Sequence, residues 1–335
     1  MYQSTAQHRL ANMIGGYFLS QAIHVAARLG IADRLRDGPQ RAGQLARAVG
    51  AHARSLHRLL RTLTGFGIFA QDDSGRFRLT ELGELIRSDV PGSLRATALT
   101  VGEAHYPAFA ELLYSVRTGR PGFDRAFGMS LFDFFAANGE EAHNFDAALA
   151  GFRSQAASAM LDAYDFSGVG RLVDVGGGTG SLLSAVLAKY PAMTGTLVDL
   201  PHVVEQASAH LEAAGLRERC TLIGGDFFTA VPAGGDVYLL RHIIHDWDDD
   251  RAVRILKNCR RAMAAAGKLL LVESVVQPDN EPSLDKVFDL VMLAVTGGME
   301  RTEPEYRELL AGSGFRLGGV VPTPAAVHVL EASPI

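Results

Sequence analysis

From Phe166 to the carboxyl end, apolar residues fall in short unbroken runs separated by stretches of helical periodicity. The runs RLVDV, TGTLVDL, CTLIGGD, DVYLLR and KLLLVES have the length of strands and the Leu and β-branched content of strands buried on both faces. Between them, SLLSAVLAKY, HVVEQASAHLEA and DRAVRILKNCRRAM carry apolar positions at helical spacing. This alternation predicts a doubly wound α/β sheet. Near the end, FRLGGVVP and AVHVLEAS flank Pro322, Thr323 and Pro324, which predicts an antiparallel hairpin on the sheet edge.

The first part of the chain is patterned differently. Leu10, Met13, Ile14, Tyr17, Phe18, Ile23, Ala26 and Leu29 recur at helical spacing up to Gly30, predicting one helix with a wide apolar face that packs on its own domain or on a second subunit. AGQLARAV and SLHRLLRTL predict two short helices, and GIFAQ and RFRLT around Asp73, Ser74 and Gly75 predict a hairpin. Two helices and a hairpin make a winged helix-turn-helix. Residues 101–160 are helical and rich in Phe and Ala, a connector whose aromatics either line a pocket or pack in the core. The expected division is therefore 1–100, 101–160 and 161–335.

Charge narrows the function. With 32 Lys and Arg against 37 Asp and Glu, the net charge is -5, which gives no whole-chain case for nucleic acid. Arg41, Arg47, Arg54, Arg58 and Arg61 make the winged helix locally basic, and a solvated helix face is the ordinary reading of such arginines. Cys220 and Cys259 lack paired spacing, so neither a disulfide framework nor a zinc site is expected, and a reducing compartment is. No signal-like segment or long apolar run stands out, and the expected location is cytoplasmic.

At the end of RLVDV stand Gly176, Gly177, Gly178, Thr179 and Gly180, followed by a helix. Glycines at a strand-to-helix turn let the backbone approach a ligand and leave N–H groups pointing at it. Ser181 stands where the dinucleotide fingerprint requires glycine, which weakens a nicotinamide reading. Asp199 closes the second strand, where a carboxylate can accept ribose hydroxyls, and Asp226 closes the third, where an acceptor can meet an adenine amino group. Helix capping or turn formation is the alternative for both.

The fourth strand runs into RHIIHDWDDD. His245 lies at the same rim as the other strand ends, placed for acid–base work, with Glu273 closing the fifth strand and Glu300 following in GGMERT. His242, His24 and His328 read as structural histidines. His242 and His245 are spaced for a metal, but no H-E-x-x-H pattern and no third ligand at recognisable spacing accompany them, so no metal is expected. Asp248, Asp249 and Asp250 are expected to cap the following helix.

LVDVGGGTGSLL, TLVDLPHVV, GGDFF, RHIIHDWDDD, ILKNCRRAM, LLLVES and GGMERT, in this order, resemble the plant caffeate- and chalcone-type O-methyltransferases, the acetylserotonin O-methyltransferases and bacterial natural-product methyltransferases, over nearly the whole chain. The resemblance implies a Rossmann-like class I methyltransferase sheet with a C-terminal antiparallel hairpin, preceded by a mainly helical winged-helix dimerisation domain. It implies S-adenosyl-L-methionine as cofactor, with S-adenosyl-L-homocysteine as product. Gly176 and Gly178 would line its methionine part, Asp199 and Leu200 the ribose, Asp226 and Phe227 the adenine, with Arg241 near the carboxylate and Trp247 on the adenine side. His245 would be the base, oriented by Glu273 and Glu300. Phe145, Leu149, Asp246 and Met292 would border the substrate; Leu149 departs from the family's Met, and Arg153 or Ser154 falls where a serine often follows. Phe134, Phe135 and Phe152 would set the pocket's size. A small aromatic hydroxyl acceptor and a homodimer are implied, with no nucleic acid or membrane partner. The competing readings are N-methylation, non-methylating chemistry on the same scaffold, a ligand-sensing winged-helix transcription factor, and a nicotinamide-dependent oxidoreductase.

Overall fold

Alternation of side chains along each strand organises the larger sheet. In the computed structural model, which describes residues 5–335 without the side chains of Phe152 and Arg153, the five expected runs form β4 (Arg171–Val175), β5 (Thr194–Asp199), β6 (Cys220–Gly224), β7 (Val237–Arg241) and β8 (Lys268–Glu273). The readings placed on Phe152 and Arg153 lie outside the described residues. On β7, Tyr238 and Leu240 enter one core while Val237 and Leu239 enter the other; on β8, Leu269 and Leu271 oppose Leu270 and Val272 in the same way. Both faces are thus covered, which is why these strands read as unbroken apolar runs. The helix Asp249–Ala262 covers one face with Ala252, Ile255, Leu256 and Cys259; the helices Ser181–Lys189 and Pro201–Ala213 cover the other through Leu182, Leu183, Val186, Leu187, Ala207 and Leu211. Cys220 and Cys259 are buried, free and in different cores.

The strand order is β6-β5-β4-β7-β8-β10-β9, with β4 to β8 parallel and β9 (Phe315–Pro322) and β10 (His328–Pro334) closing the edge as the expected antiparallel hairpin. The chain winds from β4 to β6 in one direction and then from β7 to β8 in the other. The reversal falls between β4 and β7, and at such a switch point the loops leave in opposite directions and open a crevice at the carboxyl ends of the strands.

In the amino-terminal part, the helices Ala42–Val49 and Ala53–Gly65 bury Leu45, Ala46, Leu56, Leu60 and Leu63 against β2 (Phe69–Gln71) and β3 (Arg76–Leu79). A short β1 (Gln40–Arg41) pairs with β3, so the expected hairpin is a three-stranded sheet of order β1-β3-β2. The expected single first helix is two, Ala6–Ile14 and Gly16–Arg28, broken at the adjacent glycines 15 and 16, where helix propensity is poorest. The five arginines of the winged helix are all exposed. The chain divides into two compact units, Met1–Pro107 with Phe132–Gly151, and Ala108–Leu131 with Phe152–Ile335, so residues of the expected connector belong to both. Among the described residues, no helix is long and apolar enough to cross a membrane.

Candidate active site

The glycine turn after β4 is held on its neighbour strand. Gly176 N–H donates to the Val198 carbonyl at 2.8 Å, and Gly178 N–H donates to Asp199 Oδ2 at 2.8 Å. Gly176, Gly178 and Gly180 all have φ between 57° and 75°, a region that disfavours side chains. A Cβ on Gly176 would lie 2.4 Å from Ile243 Cδ1, and one on Gly177 2.8 Å from Asp174 Oδ2; one on Gly178 would meet open space. The turn therefore packs tightly beneath and is open above. Asp199 Oδ1 accepts from Leu200 N–H at 2.7 Å. Asp226 Oδ1 accepts from Phe228 N–H at 2.8 Å, so this carboxylate also forms its own turn. Asn258 Nδ2 donates to the Phe227 carbonyl at 2.7 Å, and Trp247 meets the edges of Phe227 and Phe228 at 6.3 and 4.7 Å between centroids.

Directly across the switch point, β7 ends in a strained turn. His242 has φ 52°, unusual for a residue with a Cβ, at a cost of about 1–3 kcal/mol. The strain is overdetermined by the neighbouring strand: His242 N–H donates to the Val272 carbonyl at 3.1 Å, and the N–H groups of Ile243 and Ile244 donate to Glu273 Oε1 at 3.1 and 2.8 Å. His245 follows in a short 3₁₀ turn, Ile244–Asp246. Its Nδ1 is 2.8 Å from Glu300 Oε1 and 3.8 Å from Glu273 Oε2, and its Nε2 is 3.8 Å from Asp246 Oδ1. The sequence assigned both glutamates to this histidine, and both stand beside it.

The segment carrying Glu300 grips the same turn through its backbone. Met299 N–H donates to the His245 carbonyl at 2.9 Å, and a Cβ on Gly298 would lie 2.0 Å from that oxygen. Arg301, 1% exposed, donates from Nη1 to the Ile244 carbonyl at 3.2 Å and from Nη2 to the Trp247 carbonyl at 3.0 Å and to Asp249 Oδ1 at 2.8 Å. Glu300 N–H in turn donates to Asp289 Oδ1 at 3.0 Å. Asp248 Oδ1 caps the helix Asp249–Ala262 by accepting from Arg251 N–H at 2.9 Å, as expected.

These surroundings set the charges. Burial opposes a charge on His245, but the carboxylates of Glu273, Asp246 and Glu300 more than offset it and raise its pKa to about 10. Burial raises Glu273 to about 7, with Glu300 adding and His245 and the two backbone N–H groups opposing. Asp174, inside β4 and fully buried, is raised to about 7 by burial first, with Asp199 adding and Arg241 opposing; its Oδ2 has no hydrogen-bond partner. His242 and His245 do find in space the third donor that spacing withheld, because Glu273 Oε2 is 3.8 Å from Nδ1 of each. That nitrogen of His245 is engaged by Glu300, and the ligand atoms that the three residues offer lie within 4.8 Å of one another.

Of the other residues named from sequence, Arg241 ends β7, and Met292 lies on the helix Leu284–Val295, where its carbonyl accepts from the N–H of Thr296 and Gly297. Phe145 and Leu149 belong to the other compact unit, where Phe145 packs on Phe135 at 4.6 Å between centroids. Sequence reasoning passed over Asp174, Gly298 and Arg301. For Asp174 a signal existed: a charged residue inside an otherwise apolar buried strand needs a reason. Gly298 and Arg301 owe their roles to a tertiary contact that no local pattern encodes.

Residues 109–316 match the profile of the O-methyltransferase domain, and residues 11–89 that of the O-methyltransferase dimerisation domain. The chain is 46% identical to the phenazine O-methyltransferase of Lysobacter antibioticus, over 97% of this chain and 96% of that protein. It is 32% identical to the phenazine-1-carboxylate N-methyltransferase of Pseudomonas aeruginosa, over 98% and 97% of the two chains. Among solved structures, an O-methyltransferase from neocarzinostatin biosynthesis, in complex with S-adenosyl-L-homocysteine and 1,4-dihydroxy-2-naphthoic acid, superposes with a TM-score of 0.87 at 34% identity, covering 95% of this chain and 96% of that one.

Proposed function

The chain belongs to the S-adenosylmethionine-dependent O-methyltransferase family, and from that premise we propose that it methylates a hydroxyl on a small aromatic or polyketide-type natural product, with His245 as the acid–base residue. The observation that carries this reading is the His245–Glu300 pair, 2.8 Å apart, on the same sheet rim as the glycine turn.

The cradle fits the cofactor. Gly178 faces open space, and Asp174 Oδ2, buried beside Gly177 with no hydrogen-bond partner, offers an acceptor for a ligand's ammonium group. Asp199 and Leu200 would border the ribose, Asp226, Phe227 and Trp247 the adenine, with Gly176 beneath the methionine part and Arg241 serving its carboxylate. The cofactor supplies an electrophilic methyl on a positively charged sulfur. The chain's own task is to align the acceptor oxygen and manage its proton. A phenol of pKa about 10 is ionised to roughly one part in a thousand at pH 7, and a positioned base recovers about that factor. Glu300 fixes the tautomer of His245, and together with Glu273 it stabilises the imidazolium. Asp246 and Met292 would border the acceptor.

A ring nitrogen with a free lone pair has no proton to lose, so the carboxylate-flanked histidine favours oxygen even though some relatives methylate nitrogen. The amino-terminal domain serves a homodimer: Leu10, Met13, Ile14 and Phe18 are each more than half exposed and form an apolar face that a second copy would cover.

Incubation with S-adenosylmethionine and a panel of hydroxyphenazines and hydroxynaphthoates, followed by mass analysis, is expected to show an O-methyl product and S-adenosylhomocysteine. His245→Ala should lose about 10²–10⁴ in turnover on a neutral hydroxyl while calorimetric affinity for S-adenosylhomocysteine stays within about threefold. Parallel loss of cofactor affinity would remove the assigned role.

A further inference from the structure

Two imidazoles and two buried carboxylates meet beyond the ends of β7 and β8. Glu273, its side chain 0% exposed, commits Oε1 to the N–H groups of Ile243 and Ile244 and leaves Oε2 with no hydrogen-bond partner among the described residues. That oxygen is 3.8 Å from Nδ1 of His242 and 3.8 Å from Nδ1 of His245. Glu300, its side chain 3% exposed, holds Nδ1 of His245 through Oε1 at 2.8 Å, and its Oε2 is likewise buried with no hydrogen-bond partner among the described residues. Buried carboxylate oxygens in this state are costly, because burial removes water and no donor replaces it. Arg301 is the nearby guanidinium, and its donors are occupied by Asp249 and by the carbonyls of Ile244, Met299 and Trp247.

The spacing suits one cation. A separation of 3.8 Å is too long for a hydrogen bond. It is about half an ångström wider than the roughly 3.3 Å between two ligand atoms of a tetrahedral ion with bonds of about 2.0–2.1 Å. Nδ1 of His245 and Oε1 of Glu300 are closer than that by a similar margin, so small side-chain adjustments bring all four atoms into one shell. The left-handed backbone at His242 places an imidazole where glycine or asparagine would carry less strain.

We propose that this cluster binds a borderline divalent cation, zinc by preference, through Nδ1 of His242, Nδ1 of His245, Oε2 of Glu273 and Oε1 of Glu300, and that the ion reversibly shuts the enzyme off. Mixed nitrogen and oxygen donors suit zinc and cobalt, whereas magnesium demands oxygen ligands. Two carboxylates balance the ion's two charges. The inhibition rests on the acid–base role of His245 proposed above; the binding does not. In the working tautomer, Nδ1–H of His245 donates to Glu300 and the lone pair on Nε2 receives the acceptor's proton. The ion takes the lone pair of Nδ1 instead, so the ring's proton shifts to Nε2, which Asp246 Oδ1 faces at 3.8 Å. A metal-bound imidazole protonated on Nε2 has no lone pair left for the acceptor's proton.

Two measurements on the whole protein test this. Cobalt(II) is expected to give the intense visible bands of a four-coordinate ion, saturating at one ion per chain, with no thiolate charge-transfer band because Cys220 and Cys259 are buried in the two cores. His242→Asn, whose side chain tolerates left-handed backbone, and Glu273→Gln should each weaken cobalt and zinc binding by more than the roughly 10–100-fold that loss of an outer-shell partner costs. Undiminished binding in either variant, or a thiolate band, overturns the site. In methylation assays with the panel above, micromolar zinc should stop turnover, a chelator should restore it, and millimolar magnesium should have no effect. Measured against its own metal-free rate, His242→Asn should need at least about tenfold more zinc. Zinc that binds the cluster and leaves turnover unchanged, or raises it, overturns the inhibition. If nothing in the panel is methylated, the O-methylation reading fails and the inhibition with it, while the cobalt titration still decides the site.

Discussion

Asp174 shows at the scale of one residue how function shapes burial. A carboxyl raised to about 7 by burial makes the fold take up a proton there. Its favourable contribution is complete below the ordinary aspartate value of about 3.9 and is lost as the pH rises through 7. Asp174→Asn is therefore expected to leave the thermal midpoint nearly unchanged below about pH 4 and to raise it above the parent's at pH 8. The same substitution should weaken S-adenosylhomocysteine about 10- to 100-fold, the worth of one hydrogen bond to a charged group. A lower midpoint at pH 8 with unchanged affinity would make Asp174 structural. Gly298 acts at the same scale through close approach. A Cβ there would lie 2.0 Å from the His245 carbonyl oxygen, 2.4 Å from Asp246 C and 2.7 Å from Trp247 N, all backbone atoms that yield only if the turn moves. Since a displacement of about 1 Å can cost 10²-fold in rate, Gly298→Ala should lose about that in kcat with cofactor affinity retained. Near-normal kcat would show that the turn tolerates the shift.

Among elements, legibility followed how locally each is specified. The runs that became β4 to β8 were readable because burial on both faces makes nearly every position apolar, and the helix Asp249–Ala262 because Asp248 caps it at the start of the run of acids. Asp199, Asp226, His245 and Glu273 were readable as site candidates because parallel topology puts the carboxyl ends of β5 to β8 on one rim. Glu300 was readable from the resemblance and from its place in a loop. What its segment does was not, because Gly298, Met299 and Arg301 act through backbone atoms of a turn more than fifty residues earlier in the chain. Nor was the left-handed turn at His242, which is imposed by Glu273 and Val272 against local preference. Arg301 tests this coupling of two segments. Arg301→Gln leaves the carbonyls of Ile244 and Trp247 short of donors, at about 1–3 kcal/mol for a buried group. The thermal midpoint should fall by several degrees, and kcat should fall more than KM changes because His245 is no longer held. Asp249→Asn removes the exposed partner of the same guanidinium, its side chain 68% accessible, and should do much less. Equal effects from both substitutions would assign the segment's role to the ion pair.

For the whole molecule, the unsettled quantity is what covers the amino-terminal helices. The helix Ala6–Ile14 buries none of its nine residues, and Leu10, Met13, Ile14 and Phe18 remain exposed on it and on the start of its neighbour. Apolar area of this kind, in a chain with a net charge of -5, is stabilised by a second apolar surface and not by a polyanion. Because the driving force is removal of apolar surface from water, association should persist at high salt, where contacts to phosphates would weaken steeply. The protein is expected to sediment as a dimer at micromolar concentration, equally at low salt and in 1 M chloride on the scale where exposed charges are fully screened. The double substitution Met13→Glu with Phe18→Glu should shift it to monomer while the α/β unit keeps its cofactor affinity, because none of the residues assigned to the cofactor lies in that region. A dimer that survives the two glutamates would place the interface elsewhere. A salt-sensitive shift of DNA fragments by the wild-type chain would revive the regulatory reading that its five exposed arginines first raised.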